Sequence, residues 1–206
     1  MPASYEIKTV QELKKLYDDV NPNSLAKETP RLTPEYEKWL QSSNFFSLAT
    51  VGDDELDCSP RGDKTGQLLH IIDSENLAIP DRRGNNRIDS LQNIVEDPRV
   101  ALLFFIPGVN ECLRINGLAT LTTDPQFINR FDVSGNLPKL VILVKIQSVY
   151  FQCARAIIRS NLWSSENRLN SSSVPTAGQM TKGAKSDFDA DAYDRVLPTR
   201  QKNSLY

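Results

Sequence analysis

The chain has 206 residues, with 24 lysines and arginines against 26 aspartates and glutamates, so its formal net charge is −2. This balance gives no broad basic surface for nucleic acid, and no stretch approaches the roughly 20 consecutive apolar residues that cross a bilayer. The three cysteines are widely spaced, which fits neither a disulfide framework nor a zinc site. The first nine residues lack the apolar segment of a signal peptide. We therefore expect a cytoplasmic protein that contacts neither nucleic acid nor membrane.

Residues 1–43 are expected to form a helical segment that packs on the main domain. A second helix should begin where Thr33 precedes Pro34, because threonine caps helices and proline suits the first helical position. Before it, apolar residues recur at the spacing of an amphipathic helix: Val10, Leu13, Leu16, Tyr17 and Val20.

Residues 44–163 read as a second unit, in which short strand-like runs alternate with turns rich in Gly, Asp, Ser and Asn. Strands are predicted at 45–51, 55–59, 67–72, 76–79, 99–106, 111–123 and 140–151, and helices at 87–96, from 124 and at 155–163. This order favours an antiparallel barrel over alternating βαβ units. The fold class is therefore mainly β with peripheral helices, followed in 164–206 by an extended arm (164–185) and a short helix (187–196).

The strongest functional signal lies in residues 79–93, where a predicted strand leads through a polar loop into a helix. The loop carries Arg82, Arg83, Asn85, Asn86 and Arg87. Free N–H groups at a helix start, the helix dipole and forked guanidinium donors together suit a phosphate. Gly84 would let the backbone turn or approach a ligand closely. The alternative is a solvated basic loop capped by Asn86.

A second cationic segment, residues 57–63, follows another predicted strand. Arg61 stands between Pro60 and Gly62, so the backbone is stiff before it and free after it. Since both segments are expected to be irregular and to adjoin buried strands, they could converge on one anionic ligand.

Five motifs in fixed order, at 45–50, 59–63, 79–93, 97–104 and 113–119, resemble the pyridoxamine 5′-phosphate oxidase-like family. The resemblance runs from about residue 40 to about residue 163. It implies a split β-barrel that binds FMN at a homodimer interface, with the backbone of 58–63 along the ring and ribityl chain. The cofactor-binding residues expected from the two segments and this resemblance are Cys58, Ser59, Pro60, Arg61, Gly62, Asp63, Pro80, Asp81, Arg82, Arg83, Gly84, Asn85, Asn86, Arg87, Arg114 and Trp163.

Several of these residues have a simpler structural interpretation. Arg114 suits the solvated face of a half-buried strand, although the family would place it against the flavin of the partner subunit. Trp163 could stack near the ring or close the barrel end. Cys58 lacks an evident base and is expected to be a small buried side chain.

The sequence thus predicts an FMN-binding homodimer that acts as a flavin-dependent oxidoreductase on a small-molecule substrate or electron donor. No side chain stands out as a general acid or base, and no metal site is expected. The Arg-rich C-terminal motif of the true pyridoxamine phosphate oxidases is missing, so the family name does not specify the substrate. Two alternatives remain: a haem-binding or haem-degrading split barrel, with His70 as the only available axial histidine, and a non-catalytic flavin-binding module.

Overall fold

The computed structural model describes residues 5–53, 55–167, 169 and 173–206. Its strands are β1 (Phe45–Val51), β2 (Leu56–Gly62), β3 (His70–Asp73), β4 (Asn76–Pro80), β5 (Arg99–Phe105), β6 (Cys112–Thr122) and β7 (Val141–Gln152). Its α-helices are α1 (Val10–Lys14), α2 (Pro22–Ala26), α3 (Pro34–Ser42), α4 (Asp89–Glu96), α5 (Pro125–Ile128), α6 (Arg155–Ser160), α7 (Ala177–Ala184) and α8 (Ala190–Lys202). The predicted fold class, mainly β with peripheral helices, is confirmed.

The seven strands form one antiparallel sheet in the order β2-β1-β5-β6-β7-β4-β3. In a flat sheet β2 and β4 would lie about 24 Å apart, five strand spacings of about 4.8 Å each. However, Arg61 in β2 places its Nη1 atom 3.0 Å from Oδ1 of Asp81, the residue after β4. The sheet therefore curls until its two sides meet, with no strand pairing between them among the described residues, and this open seam makes it a split barrel.

The core lies inside the curled sheet because alternate side chains of each strand point inward. Phe46 and Leu48 of β1 face Phe104 and Leu102 of β5, and all four are fully buried. The Phe46 and Phe104 ring centroids are 4.7 Å apart. This alternation, already visible in the sequence, fixes which residues of the neighbouring strands face the core.

Helices α3 and α4 cover the barrel. The Thr33 side chain accepts a hydrogen bond from the Tyr36 backbone N–H and Pro34 takes the first position, as the sequence predicts. Leu40 of α3 and Ile94 of α4 join the core cluster. Among the residues that the structure describes, no helix has the length and apolar character needed to cross a membrane.

Strand β2 differs from the prediction in a way that matters for the site. It extends through Pro60 and Arg61 to Gly62, so the expectation of an irregular backbone at 57–63 is wrong. Proline cannot donate a backbone hydrogen bond, but β2 is an edge strand, where a missing donor can face away from the sheet.

The two ends of the chain also depart from expectation. Helix α1 ends at Lys14, so the predicted helix through Val20 is wrong, and the apolar side chains of this stretch are exposed. The stretch 164–185 is not simply extended, because it contains α7, which begins with a capping box between Thr176 and Gln179. Helix α8 is longer than predicted and continues through Pro198.

Candidate functional site

Two ion pairs cross the open seam of the barrel. Arg61 Nη1 lies 3.0 Å from Asp81 Oδ1, and Arg82 Nε lies 2.7 Å from Asp63 Oδ2. We call these four side chains the seam cluster. Arg61, Asp81, Arg82 and Asp63 are 20%, 19%, 14% and 2% exposed, respectively. The two cationic segments therefore lie side by side, while the anionic ligand between them stays a prediction.

Arg61 is positioned by the register of β2. It pairs with Phe46 of β1 and so shares the inner face of the sheet with that core residue. Its Nη2 group donates to Ser90 Oγ at 2.6 Å, in the first turn of α4. Arg61 thus connects the edge strand to both the loop after β4 and the following helix.

Arg82 is held by a different set of contacts, including one from the far end of the chain. Its Nη1 group donates to the Phe131 carbonyl at 2.7 Å. The Tyr206 hydroxyl donates to Asp63 Oδ1 at 2.8 Å, and Arg82 Cζ lies 5.2 Å from the Tyr206 ring centroid. The hydrogen bond to Asp63, then burial, raises the pKa of Tyr206. Sequence reasoning missed Tyr206, since nothing in the sequence brings it to residue 63.

The seam cluster keeps hydrogen-bonding capacity that the described residues do not use. Arg61 Nε and Arg82 Nη2 are buried without a partner, as is Ser59 Oγ, which shares the inner face of β2 with Arg61. The other two such atoms, Asn44 Oδ1 and Gln67 Oε1, are acceptors. Unsatisfied buried donors cost free energy, so the arrangement suits an anionic group that supplies acceptor oxygens.

The loop between the cluster and α4 is exposed and more lightly held. Arg87 pairs with Asp89, and its N–H donates to Asn85 Oδ1 at 2.9 Å. Arg83 makes no hydrogen bond or ion pair with any described residue. Three of the four arginines are paired to aspartates, and Arg83 is the one of these four whose positive charge has no ion pair among the described residues.

Asn86 has the left-handed backbone of this loop, with φ at 61°, and the space around a Gly84 Cβ is open. The alternative in which Asn86 caps the helix is wrong, because α4 begins at Asp89 and its cap residue Ile88 offers no side-chain hydrogen bond. The helix start therefore keeps backbone donors that no side chain satisfies.

The other residues of 58–63 and 80–81 frame the cluster. Pro80, buried at the end of β4, pairs with Val141, and the Asp81 N–H donates to the Leu140 carbonyl at 3.1 Å. Cys58, Pro60 and Gly62 alternate with the inward residues of β2, so they lie on its outer face. Cys58 is exposed, and the expectation of a buried side chain is therefore wrong.

Arg114 and Trp163 are not brought to the seam cluster within one chain. Arg114 Nε donates to Asn116 Oδ1 at 3.3 Å on the outer face of β6, and its Cζ lies 5.9 Å from the Tyr150 ring centroid. Trp163 donates from Nε1 to the Val109 carbonyl at 2.7 Å. Both residues thus have local structural partners.

His70 lies at the start of β3, with Nε2 3.3 Å from Arg130 Nη1. Burial, and then the charge of Arg130, lowers the pKa of His70. The ring lines a cavity of about 260 Å³ together with Leu40 and Leu68. Within the described ranges there is no group of three or more His, Cys, Asp or Glu side chains that could hold a metal ion.

Comparisons with known proteins extend this description. A family model described as pyridoxamine 5′-phosphate oxidase matches residues 32–153, a span that includes the whole sheet and the seam cluster but not Tyr206. Among solved structures, the chain is similar to HupZ from Group A Streptococcus, with 16% identity and a TM-score of 0.47 over 58% of this chain and 93% of that one.

Two further solved structures show similarity at the same level. General Stress Protein 26 from Bacillus anthracis is 18% identical, with a TM-score of 0.42 over 56% of this chain and 88% of that one. The FAD binding protein from Mycobacterium smegmatis is 12% identical, with a TM-score of 0.41 over 60% and 97%. No curated protein matches the chain.

Proposed function

Because this chain belongs to the pyridoxamine 5′-phosphate oxidase family, we propose that it binds FMN and works as a flavin-dependent oxidoreductase. The observation that supports this proposal best is the seam cluster, in which Arg61 and Arg82 each keep a buried donor without a partner. A phosphate has the negative charge and the several acceptor oxygens that such donors require.

The residues around the seam would divide the work of holding the phosphate. Asp81 and Asp63 fix the two buried guanidinium groups, which leaves Arg61 Nε and Arg82 Nη2 for the ligand. The two carboxylates also repel a phosphate dianion, so the unpaired charge of Arg83 and the free N–H groups at the start of α4 are needed to favour binding.

Bound FMN would supply hydride transfer, while the protein contributes binding, orientation and the polarity around the ring. The backbone from Cys58 to Asp63 would follow the ring and ribityl chain. We propose that a small-molecule substrate or electron donor reaches the flavin from the side that this backbone lines. The described residues offer orientation and electrostatics there rather than a dedicated proton-transfer group.

A homodimer would complete the site. On the outer face of β1 and β5 the small side chains of Ala49 and Ala101 lie opposite each other, and Ser47 lies opposite Leu103, all of them half-buried. Such a face lets a second copy approach closely, and Arg114 on the same face could then reach the flavin of that copy. Sedimentation should show a dimer at micromolar concentration, and a monomer that still holds flavin would contradict this arrangement.

We also propose a cytoplasmic location, on the evidence of cysteine chemistry. Cys58 and Cys153 are exposed and unpaired, and Cys112 is buried. Exposed free thiols persist in reducing compartments and tend to be oxidised elsewhere.

An absorption spectrum and one pair of variants test the flavin proposal. The purified protein, or the protein mixed with FMN, should show bands near about 370 and 450 nm. Arg83→Ala should weaken FMN binding roughly tenfold, because a charge-assisted contact is worth about 1.5–3 kcal/mol before discounting for its exposure. Arg99→Ala is the matched control, since Arg99 is also an exposed arginine but pairs with Asp97. Failure to bind FMN would overturn the proposal, and a Soret band would favour the haem alternative.

A further inference from the structure

Tyr206 connects the C-terminal helix to the seam cluster. It follows α8, whose end is continued by Ser204, which donates from Oγ to the Arg200 carbonyl at 2.7 Å. The Tyr206 hydroxyl then reaches Asp63 Oδ1 at 2.8 Å. The family match ends at residue 153, so Tyr206 lies outside the span that it covers.

Asp63 is the link between Tyr206 and the ligand side of the cluster. Its carboxylate is 2% exposed, and burying such a group costs free energy unless hydrogen-bond donors surround it. It receives three hydrogen bonds: Arg82 Nε on Oδ2 at 2.7 Å, and the Lys64 N–H at 2.7 Å and the Tyr206 hydroxyl at 2.8 Å on Oδ1. Tyr206 therefore helps to hold the carboxylate in the orientation that binds Arg82.

The Arg82 guanidinium is restrained on its remaining sides as well. Its Cζ atom lies 5.2 Å from the Tyr206 ring centroid and 6.0 Å from that of Phe131. Asp63 takes Nε and the Phe131 carbonyl takes Nη1. Nη2 is the nitrogen left without a partner, and its position is fixed by all of these contacts.

We propose that Tyr206 is a positioning residue for the cofactor phosphate: it holds Asp63 and Arg82 so that Arg82 Nη2 stays available to a phosphate oxygen. The inference rests on the proposed function and adds a residue to that site. Loss of Tyr206 removes one donor from Asp63 and the ring beside the Arg82 guanidinium, so Arg82 Nη2 is held less firmly, and the cost appears on ligands that carry the phosphate.

The test compares FMN with riboflavin, which has the same ring and ribityl chain but no phosphate. Tyr206→Ala should weaken FMN binding about tenfold and leave riboflavin binding unchanged, and Tyr206→Phe should cause a smaller FMN loss through the missing hydrogen bond to a charged group. Tyr193→Phe is the control: Tyr193 is in α8 and also stacks on an arginine, Arg200, with Cζ 4.8 Å from the ring centroid. Its hydroxyl makes no hydrogen bond with a described residue.

A double-mutant cycle isolates the route through Arg82. In an Arg82→Gln background, Tyr206→Phe should have no further effect on FMN binding, because the side chain that it positions is gone. For the single variant Tyr206→Ala, equal loss of FMN and riboflavin affinity would mean that Tyr206 covers the cofactor instead. Unchanged FMN affinity in that variant would mean that Tyr206 has no role in binding. Either result overturns the inference.

If the flavin proposal itself is wrong, the binding experiments give a different set of results. If the wild-type chain binds neither FMN nor riboflavin, the flavin proposal fails, and inorganic phosphate becomes the probe. An increase in melting temperature with phosphate that is lost in Tyr206→Phe would still support the positioning role. An equal increase in both proteins, or none in the wild type, would overturn it.

Discussion

Arg61 and Arg82 differ from Arg83 and Arg87 in a way that their shared residue type does not suggest. The first two are largely buried and ion-paired across the seam, and each keeps one nitrogen without a partner. Arg87 is 77% exposed with a local partner, and Arg83 has no partner among the described residues. The two buried arginines are preorganised and limited to one geometry, whereas Arg83, the exposed arginine without a partner, offers charge without a fixed direction. We expect the first to determine where a phosphate binds and the second to determine how strongly it is attracted.

The largest expected effect comes from breaking a buried ion pair. Asp63→Ala leaves the Arg82 charge buried without a counterion, which should lower the free energy of unfolding by about 3–5 kcal/mol. Asp89→Ala breaks the exposed pair with Arg87 and should cost less than about 1 kcal/mol. Urea unfolding of the two variants measures both values. Similar losses would show that burial does not distinguish the two ion pairs.

The next largest expected effect is a loss of FMN affinity in a variant that still folds. Arg61→Lys keeps the charge but cannot contact Asp81 and Ser90 through separate nitrogens while keeping a third donor free. FMN affinity should fall about tenfold or more. Arg99→Lys is a matched control, since Arg99 contacts Asp97 through two nitrogens away from the seam. Titration of FMN fluorescence gives both affinities, and unchanged binding in Arg61→Lys would exclude Arg61 from the site.

The effect of salt on FMN affinity should also distinguish the exposed arginines from the buried ones, although by a smaller difference in affinity. Between about 0.1 and 1 M salt the Debye length falls from roughly 10 to 3 Å, which screens exposed charges far more than buried ones. The loss of FMN affinity in Arg83→Ala should therefore shrink at high salt, while the loss in Arg61→Lys should persist. Equal salt dependence for the two variants would argue against a buried ligand contact for Arg61.

The last prediction is that no effect is seen: the protein should not turn over pyridoxamine phosphate. Residues 187–194 carry the four aspartates Asp187, Asp189, Asp191 and Asp194 and no lysine or arginine, and such a stretch disfavours a second phosphate. Stopped-flow mixing of the FMN-loaded protein with pyridoxamine phosphate should leave the flavin oxidised. Rapid bleaching followed by pyridoxal phosphate release would show that the chain carries out the reaction named in its family.

The sequence predicts which segments come together at the seam better than it predicts the ion pairs and hydrogen bonds that cross it. Alternating apolar residues in β1 and β5 set the inner face, and two cationic segments that each adjoin a buried strand predict that Arg61 and Arg82 could converge. Nothing in the local pattern shows that each arginine has an aspartate across the seam, because that pairing depends on how far the sheet curls. The hydrogen bond between Tyr206 and Asp63 joins residues 143 positions apart, and no helical or strand period extends over that distance.

The remaining errors have local physical causes. Helix α1 stops at Lys14 although apolar spacing continues to Val20, since a short helix that buries none of its side chains gains little from amphipathic spacing. The turn-like composition of 57–63 concealed an edge strand, because proline and glycine weaken central strands more than edge strands. In both cases tertiary position, rather than local preference, decided the structure.

Pro60 has one more consequence, for how separate molecules meet. Edge strand β2 can present unpaired backbone groups to a strand of another molecule, and its first residue, Leu56, is 82% exposed. A proline within such a strand removes one donor from the row that an incoming strand would need. The residue beside the seam arginine should therefore also protect the chain against edge-to-edge aggregation.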